Sequence, residues 1–333
     1  MDSRENILLI RLKSMGDILF TLPAVHAVRE NFPDARLHFL VSQEYTEMLR
    51  GFSEIDEIIP LNRALFHSKN LPALCRETVS FLFLLRQKKF SRAIDFQGYS
   101  ETEMLAWWSG APERWGQVYR PLRGWTYTRS LSRLHATHPA EQNLTLLQRC
   151  GLRVQKISNQ YNLPAEAATQ ARQFFAANNL QIGKPTLFLQ PFTSAARKNW
   201  PLENYLTLAQ HYHSQGVQII FGGGPSECHA LESARSYNFC VAAGASLAIS
   251  AGLMNFSTLI VGGDTGLLHL ATAMGRRTVM LIHGNQPGYS HPFQRANWTI
   301  LPPAKKTVPE IQTHAVIEAC AQAFSEPICN VSC

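Results

Sequence analysis

Apolar positions in the first half of the chain switch between two periods. Ile7 to Leu12 is a short aliphatic run, and beyond Lys13-Ser14-Met15-Gly16-Asp17 the positions Leu19, Leu22, Val25 and Val28 recur at helical spacing. The order reads strand, loop, helix. Pro23 fits the first turn of that helix, where a missing N–H costs little, and Thr21 beside it is a candidate cap. Arg36 to Val41, Glu54 to Pro60 and Arg92 to Phe96 predict further strands, with helices such as Leu71 to Lys88 between them. A polar passage, Gln155 to Asn162, leads into a helix over Ala165 to Asn178, and the second half repeats the pattern. Thr186 to Gln190, Val217 to Phe221, Tyr237 to Val241, Thr258 to Val261 and Thr278 to Ile282 read as strands, each followed by Gly, Pro or polar residues and then by helical spacing. Such alternation argues for parallel sheets covered on both faces.

Two successive runs of this kind imply an α/β protein of two Rossmann-like domains, over 1–178 and 179–333, facing a central cleft. The last helix, near Pro309 to Phe324, suits either domain, and the tail from Cys329 to Cys333 is expected to be loose.

A length of 333 residues fits two domains at roughly 100–200 residues each, and 45% hydrophobic content supplies two cores. The longest apolar runs, such as Phe81 to Leu85 and Leu268 to Met274, fall far short of the roughly 20 residues a spanning helix needs. Met1 to Asn6 has two acids and one base before Ile7, unlike a secretory signal, so a cytoplasmic location is expected. Seven cysteines without a CxxC point to neither a disulfide framework nor a zinc site. The formal net charge of +7 favours an anionic partner: nucleic acid, acidic lipid headgroups or a phosphorylated substrate.

The strongest chemical signal is Val261-Gly262-Gly263-Asp264-Thr265-Gly266-Leu267-Leu268-His269, directly after a strand and opening a helix. Free N–H groups and the positive end of the helix dipole bind phosphate at such a place, and Thr265 and Gly266 bring the amides close. Alternatively Asp264 only caps the helix, the glycines allow a tight turn, and His269 is a buried helix residue. Phe192-Thr193-Ser194-Ala195-Ala196-Arg197-Lys198-Asn199-Trp200-Pro201 also follows a strand, at the carboxyl end where open α/β sheets bind ligands. Its hydroxyls and Lys198 suit a second grip on a diphosphate, against the alternative of a solvated surface turn.

Phe221-Gly222-Gly223-Gly224-Pro225-Ser226-Glu227 forms a third strand-end loop, neither a dinucleotide fingerprint nor a Walker loop; Glu227 suits ribose hydroxyls or a helix start. In the first half, Asp17 sits after the first strand, placed as a general base toward a sugar hydroxyl or as a helix cap. Lys13, Arg114, Arg120, Arg123, Arg129 and Arg133, interleaved with Trp107, Trp108, Trp115 and Trp125, can hold an acidic acceptor or touch a membrane surface, or merely solvate a face.

Taken together, Lys13-Ser14-Met15-Gly16-Asp17-Ile18 through Thr21-Leu22-Pro23-Ala24, Asp95-Phe96-Gln97-Gly98, Lys198-Asn199-Trp200-Pro201 and Asp264-Thr265-Gly266 with His269 resemble the ordered landmarks of bacterial lipopolysaccharide heptosyltransferases, glycosyltransferase family nine. The resemblance implies a GT-B fold, an N-terminal acceptor domain, a C-terminal nucleotide-sugar domain and inverting transfer from an ADP-sugar without an obligatory metal or other cofactor. It makes Asp17 the catalytic base, with Lys198 stabilising the departing ADP. Thr193, Ser194, Lys198, Thr265 and Gly266 then surround the donor diphosphate, Glu227 the ribose, and Asp264 and His269 the donor sugar. Lys13, Arg120 and Arg123 are expected to hold an anionic lipid-linked oligosaccharide, with the enzyme peripherally at the inner leaflet of the cytoplasmic membrane.

One loop departs from the family pattern: Ile282-His283-Gly284-Asn285-Gln286-Pro287-Gly288 stands where Gly-Pro-Thr-Asp-Pro is expected, which leaves the donor sugar open. Outside the family, an NAD-dependent oxidoreductase lacks its glycine fingerprint after the first strand, and a nucleic-acid binder lacks a recognisable motif.

Overall fold

In a computed structural model of the chain, the described residues are 4–63, 71–119, 124–133, 136–283 and 291–326. They form two units, Met1–Asn159 and Gln160–Cys333. In the first, β1 (Asn6–Ile10), α1 (Met15–Leu19), α2 (Leu22–Asn31), β2 (Arg36–Ser42), α3 (Thr46–Leu49), β3 (Glu57–Leu61) and α4 (Leu71–Gln87) are followed by β4 (Arg92–Asp95), α5 (Ser100–Trp108), β5 (Glu113–Val118), β6 (Arg129–Ser132) and α6 (Pro139–Arg149). The six strands lie in the order β3-β2-β1-β4-β5-β6, all parallel. Burial on both faces explains why the central strands carry unbroken aliphatic runs: Ile7, Leu8, Leu9 and Ile10 are all fully buried.

In the second unit, α7 (Ala165–Ala177), β7 (Thr186–Gln190), α8 (Leu202–His213), β8 (Gln218–Gly223), α9 (Glu232–Ser236) and β9 (Cys240–Ala243) precede α10 (Leu247–Phe256), β10 (Leu259–Gly263), α11 (Gly266–Ala273), β11 (Thr278–Leu281), β12 (Thr299–Ile300) and α12 (Thr313–Ser325). Its six parallel strands run β12-β11-β10-β7-β8-β9. Each sheet therefore reverses its winding at one place, between β1 and β4 and between β7 and β10, the switch points where such folds bind ligands.

Several expectations need correction. The chain divides at 159/160 and not at 178/179, because α7 packs on α10: a Cβ at Gly252 would stand 2.5 Å from the Ala167 carbonyl oxygen. The last helix packs on the second unit, its Val316, Cys320 and Ala323 sharing a core with Leu187, Tyr205 and Leu259. Thr21 stands at the N-cap position of α2 but its side chain makes no capping bond; its hydroxyl donates to the Ile18 carbonyl at 2.6 Å. Trp115, grouped above with surface aromatics, is buried with the Arg92 and Arg129 guanidiniums over its ring. The tail from 329 to 333 lies outside the described residues.

Candidate active site

The loop after β1 carries Asp17 on the short helix α1. Its Oδ2 accepts from the Ser14 hydroxyl at 3.1 Å and the Ser14 amide at 3.4 Å, so the capping role is real. The same oxygen also accepts from Arg11 Nη2 at 2.7 Å. Arg11 is buried, and its other nitrogens donate to the Lys13 and Phe96 carbonyls at 2.9 and 2.6 Å. A guanidinium fixed by two backbone carbonyls holds the carboxylate in a defined orientation. Among the described residues every partner of Asp17 is on Oδ2, which leaves the lone pairs of Oδ1 available. Burial raises the Tyr45 phenol above its ordinary range, with the charges of Glu44 and Asp17 adding to the rise, which places Tyr45 in the field of the same carboxylate. Neither Arg11 nor Tyr45 was singled out from sequence.

Asp95-Phe96-Gln97-Gly98, at the end of β4, turns out to be the frame of this loop. Asp95 Oδ1 accepts from the Gln97 and Gly98 amides at 2.8 and 3.1 Å, and Oδ2 from the Tyr127 hydroxyl at 2.6 Å. Complete burial pushes the Asp95 pKa up, against these hydrogen bonds. Gln97 Oε1 then accepts from the Leu12 and Lys13 amides at 2.9 and 3.2 Å, tying the ends of β1 and β4 together. Lys13 is half-buried in the same loop. Arg120 and Arg123 lie outside the described residues.

In the second unit the neighbouring ends of β7 and β10 bring two distant sequence segments together. Asn199 Oδ1 accepts from the Thr193 amide at 2.8 Å and Trp200 Nε1 donates to the Ile311 carbonyl at 2.8 Å, which shapes and anchors the loop after β7. Gly263 lets that loop approach, since a Cβ there would stand 2.6 Å from Thr193 Cγ2. Thr193 commits its hydroxyl inside the loop, to the Ala195 carbonyl and Asn199, whereas Ser194 is exposed. Lys198 is delivered to Asp264, Nζ to Oδ2 at 2.7 Å.

Asp264 is not the helix cap. That role belongs to Thr265, whose Oγ1 accepts from the Leu268 amide at 3.4 Å. Asp264 instead faces Lys198 with one oxygen and buried His269 with the other, Nε2 to Oδ1 at 3.2 Å. Burial alone would raise its pKa, but the hydrogen bonds and charges of His269 and Lys198 bring it down to about 2. The amides of Gly266 and Leu267, at the start of the eight-residue helix α11, have no protein acceptor among the described residues. A cation and free helix-terminal amides at a sheet switch point form a site for a phosphate or diphosphate. Glu227 follows β8, the strand beside β7, in a single turn with the Ser226 hydroxyl donating to its Oε1 at 2.8 Å. The departing loop beyond His283 lies outside the described residues.

A model of glycosyltransferase family 9 (heptosyltransferase) matches residues 79–318. Lipopolysaccharide heptosyltransferase 1 of Escherichia coli K12 is 23% identical over 325 residues, covering 94% of this chain and 98% of that protein. A family 9 glycosyltransferase structure from Veillonella parvula superposes with TM-score 0.84 at 19% identity, covering 97% of this chain and 98% of that one. E. coli heptosyltransferase WaaC, solved with ADP-2-deoxy-2-fluoro heptose, superposes with TM-score 0.76 at 21% identity, covering 95% and 99% respectively. The GT-B architecture expected from sequence is thus the fold shared with these structures.

Proposed function

The chain belongs to glycosyltransferase family 9, and from that premise we propose that it transfers a heptose from ADP-heptose onto the inner core of lipopolysaccharide, inverting the anomeric carbon. The observation that carries the reading is the grip after β7 and β10: Lys198 held by Asp264 beside the free amides of α11. That group suits a leaving diphosphate, and the relatives named for this transfer include one solved with an ADP-heptose analogue.

In the reaction, Asp17 Oδ1 takes the proton of the acceptor hydroxyl while its oxygen attacks the anomeric carbon. Arg11 keeps Oδ2 occupied, so the free oxygen is the one presented. As the bond to ADP breaks, negative charge grows on the diphosphate, and Lys198 with the Gly266 and Leu267 amides stabilises it. Ser194 and Thr265 serve the phosphates, and Glu227 the ribose. Asp264, itself held by His269, fixes the lysine, and the pair stands beside the donor sugar. A single displacement inverts the centre. The charge is carried by protein groups, so no metal or other cofactor is required. Lys13, Arg120 and Arg123 serve the anionic, lipid-linked acceptor from the first unit, and the enzyme works peripherally on the cytoplasmic leaflet without a nucleic-acid partner.

A panel of nucleotide sugars, each assayed with excess chelator and with the product's anomeric configuration read by NMR, tests this. ADP-heptose turned over with inversion is expected. Preference for another nucleotide sugar would move the chain to the other reading that its departing 282–288 loop leaves open, a family member with a different donor. An obligatory divalent ion would contradict the role given to Lys198.

A further inference from the structure

Helix α4 is apolar on two faces. Its inward side chains Phe81, Leu82 and Leu85 join the core of the first unit, yet Val79 and Phe83 on the outward face are 66% and 64% exposed, with Leu84 beside them. An outward helix face carrying such side chains calls for something to cover it. The end of α5 continues this surface: Arg86 Nε, from α4, donates to the Trp108 carbonyl at 3.2 Å, and the Trp107 ring lies 5.1 Å from that of Trp108 and 6.3 Å from that of Trp125. Trp125 is 71% exposed. In the second unit the large exposed apolar side chains, Ile182, Tyr237 and Leu301, stand singly in sequence on different segments. Single exposed apolar residues need no explanation, whereas a joined group of this size marks an interaction surface.

The charges around the patch identify the partner's chemistry. Arg76, Arg86, Lys89 and Arg114 have no ion pair among the described residues. Of the acids of α5, Glu101 pairs with Arg63 and Glu103 is buried and accepts from the Thr126 hydroxyl, while Glu77 of α4 has no ion pair among the described residues. Tryptophan prefers the boundary between hydrocarbon and headgroups, and unpaired arginine and lysine prefer anionic headgroups.

We propose that the outward face of α4, the Trp107–Trp108 end of α5 and Trp125 dock on an anionic lipid bilayer. The inference rests on the reading of a lipid-linked acceptor and says which surface meets the lipid. Helix α5 starts just after Gly98, in the turn tied through Gln97 to the Asp17 loop. One unit therefore carries both the base and the docking face, so an acceptor whose anchor stays in the bilayer is brought to the unit that must deprotonate it.

The test uses the full chain without nucleotide sugar or acceptor. Phosphatidylcholine vesicles with and without phosphatidylglycerol are sedimented at low and high salt, with tryptophan emission recorded alongside. Wild type should sediment with the anionic vesicles, shift its emission to the blue and dissociate in part at high salt. Val79→Ser with Phe83→Ser should weaken partitioning by about tenfold or more with melting temperature unchanged, since both side chains already face solvent. Trp125→Gln should weaken it independently. Equal binding by wild type and both variants, or no binding by wild type, would overturn the proposal. So would a concentration-dependent dimer abolished by the α4 variant in protein that ignores vesicles, because the patch would then be a self-interface. The outcome is separable from the transfer reading: protein that binds vesicles but rejects ADP-heptose contradicts the transfer alone.

Discussion

Both units wind their six strands in the same order, yet equivalent loops are put to opposite electrostatic use. After the first strand of its sheet, the first unit presents a carboxylate, Asp17, and the second presents an ammonium, Lys198. After the fourth strand the contrast is sharper. Asp95 accepts from the Gln97 and Gly98 amides, which closes that turn to any other anion. Asp264 turns away toward Lys198 and His269 and leaves the amides of α11 open. In the proposed reaction one topology thus serves a proton acceptor, Asp17, and a diphosphate grip, and the direction of Asp264 is what leaves the amides of that grip open.

The most damaging change should be Asp17→Asn, which removes the proton acceptor and keeps the shape. Turnover should fall by ~10²–10⁴, with ADP affinity at the wild-type value by calorimetry. Lys198→Ala should cost about 10²–10³ in turnover and also weaken ADP, because the ammonium acts on charge already present in the bound diphosphate and increased at the transition state. Retention of full ADP affinity by this variant would erase the contrast between the units.

Gly98→Ala probes the closed turn. Gly98 has φ of +73°, and a Cβ there would stand 2.1 Å from the Gln117 carbonyl oxygen, so the backbone must shift. A loss of about 2–4 kcal/mol is expected by denaturant titration, with ADP binding on the second unit intact.

The smallest effect concerns acid. Asp264 has its folded pKa lowered from 3.8 to about 2, so its contribution to stability is present above pH 3.8 and disappears as pH falls through about 2. Asp264→Asn should therefore destabilise by about 2 kcal/mol at neutral pH and make little difference near pH 2, as read by denaturant midpoints at both values. An equal effect at both would mean that the carboxylate's charge is not what binds Lys198.

The open half of this comparison was more legible in sequence than the closed half. Lys198, Asp264, Thr265 and Gly266 stand in glycine-rich or polar breaks directly after aliphatic strands, and strand adjacency suffices to bring them together. By contrast, β5 and β6 were missed. Glu113–Val118 contains Arg114, Gly116 and Gln117, and Gly116 is needed because the Tyr127 ring lies 2.3 Å from where a Cβ would be. Polar residues and a glycine mute the strand signal. Arg11 was hidden for another reason: it lies within the aliphatic run read as a strand, and its bond to the Phe96 carbonyl joins residues 85 apart in sequence. Trp115 likewise looked like surface because nothing local shows that two arginines enclose it.

The central claim is that the base and the diphosphate grip are carried by different units. It is tested most directly by calorimetric titration of ADP into Asp17→Asn and Lys198→Ala, paired with single-turnover transfer from ADP-heptose at saturating donor. The account predicts wild-type ADP affinity without transfer in the first variant, and weakened ADP with slow but measurable transfer in the second. Loss of ADP affinity in Asp17→Asn, or transfer near the wild-type rate in either, would contradict it.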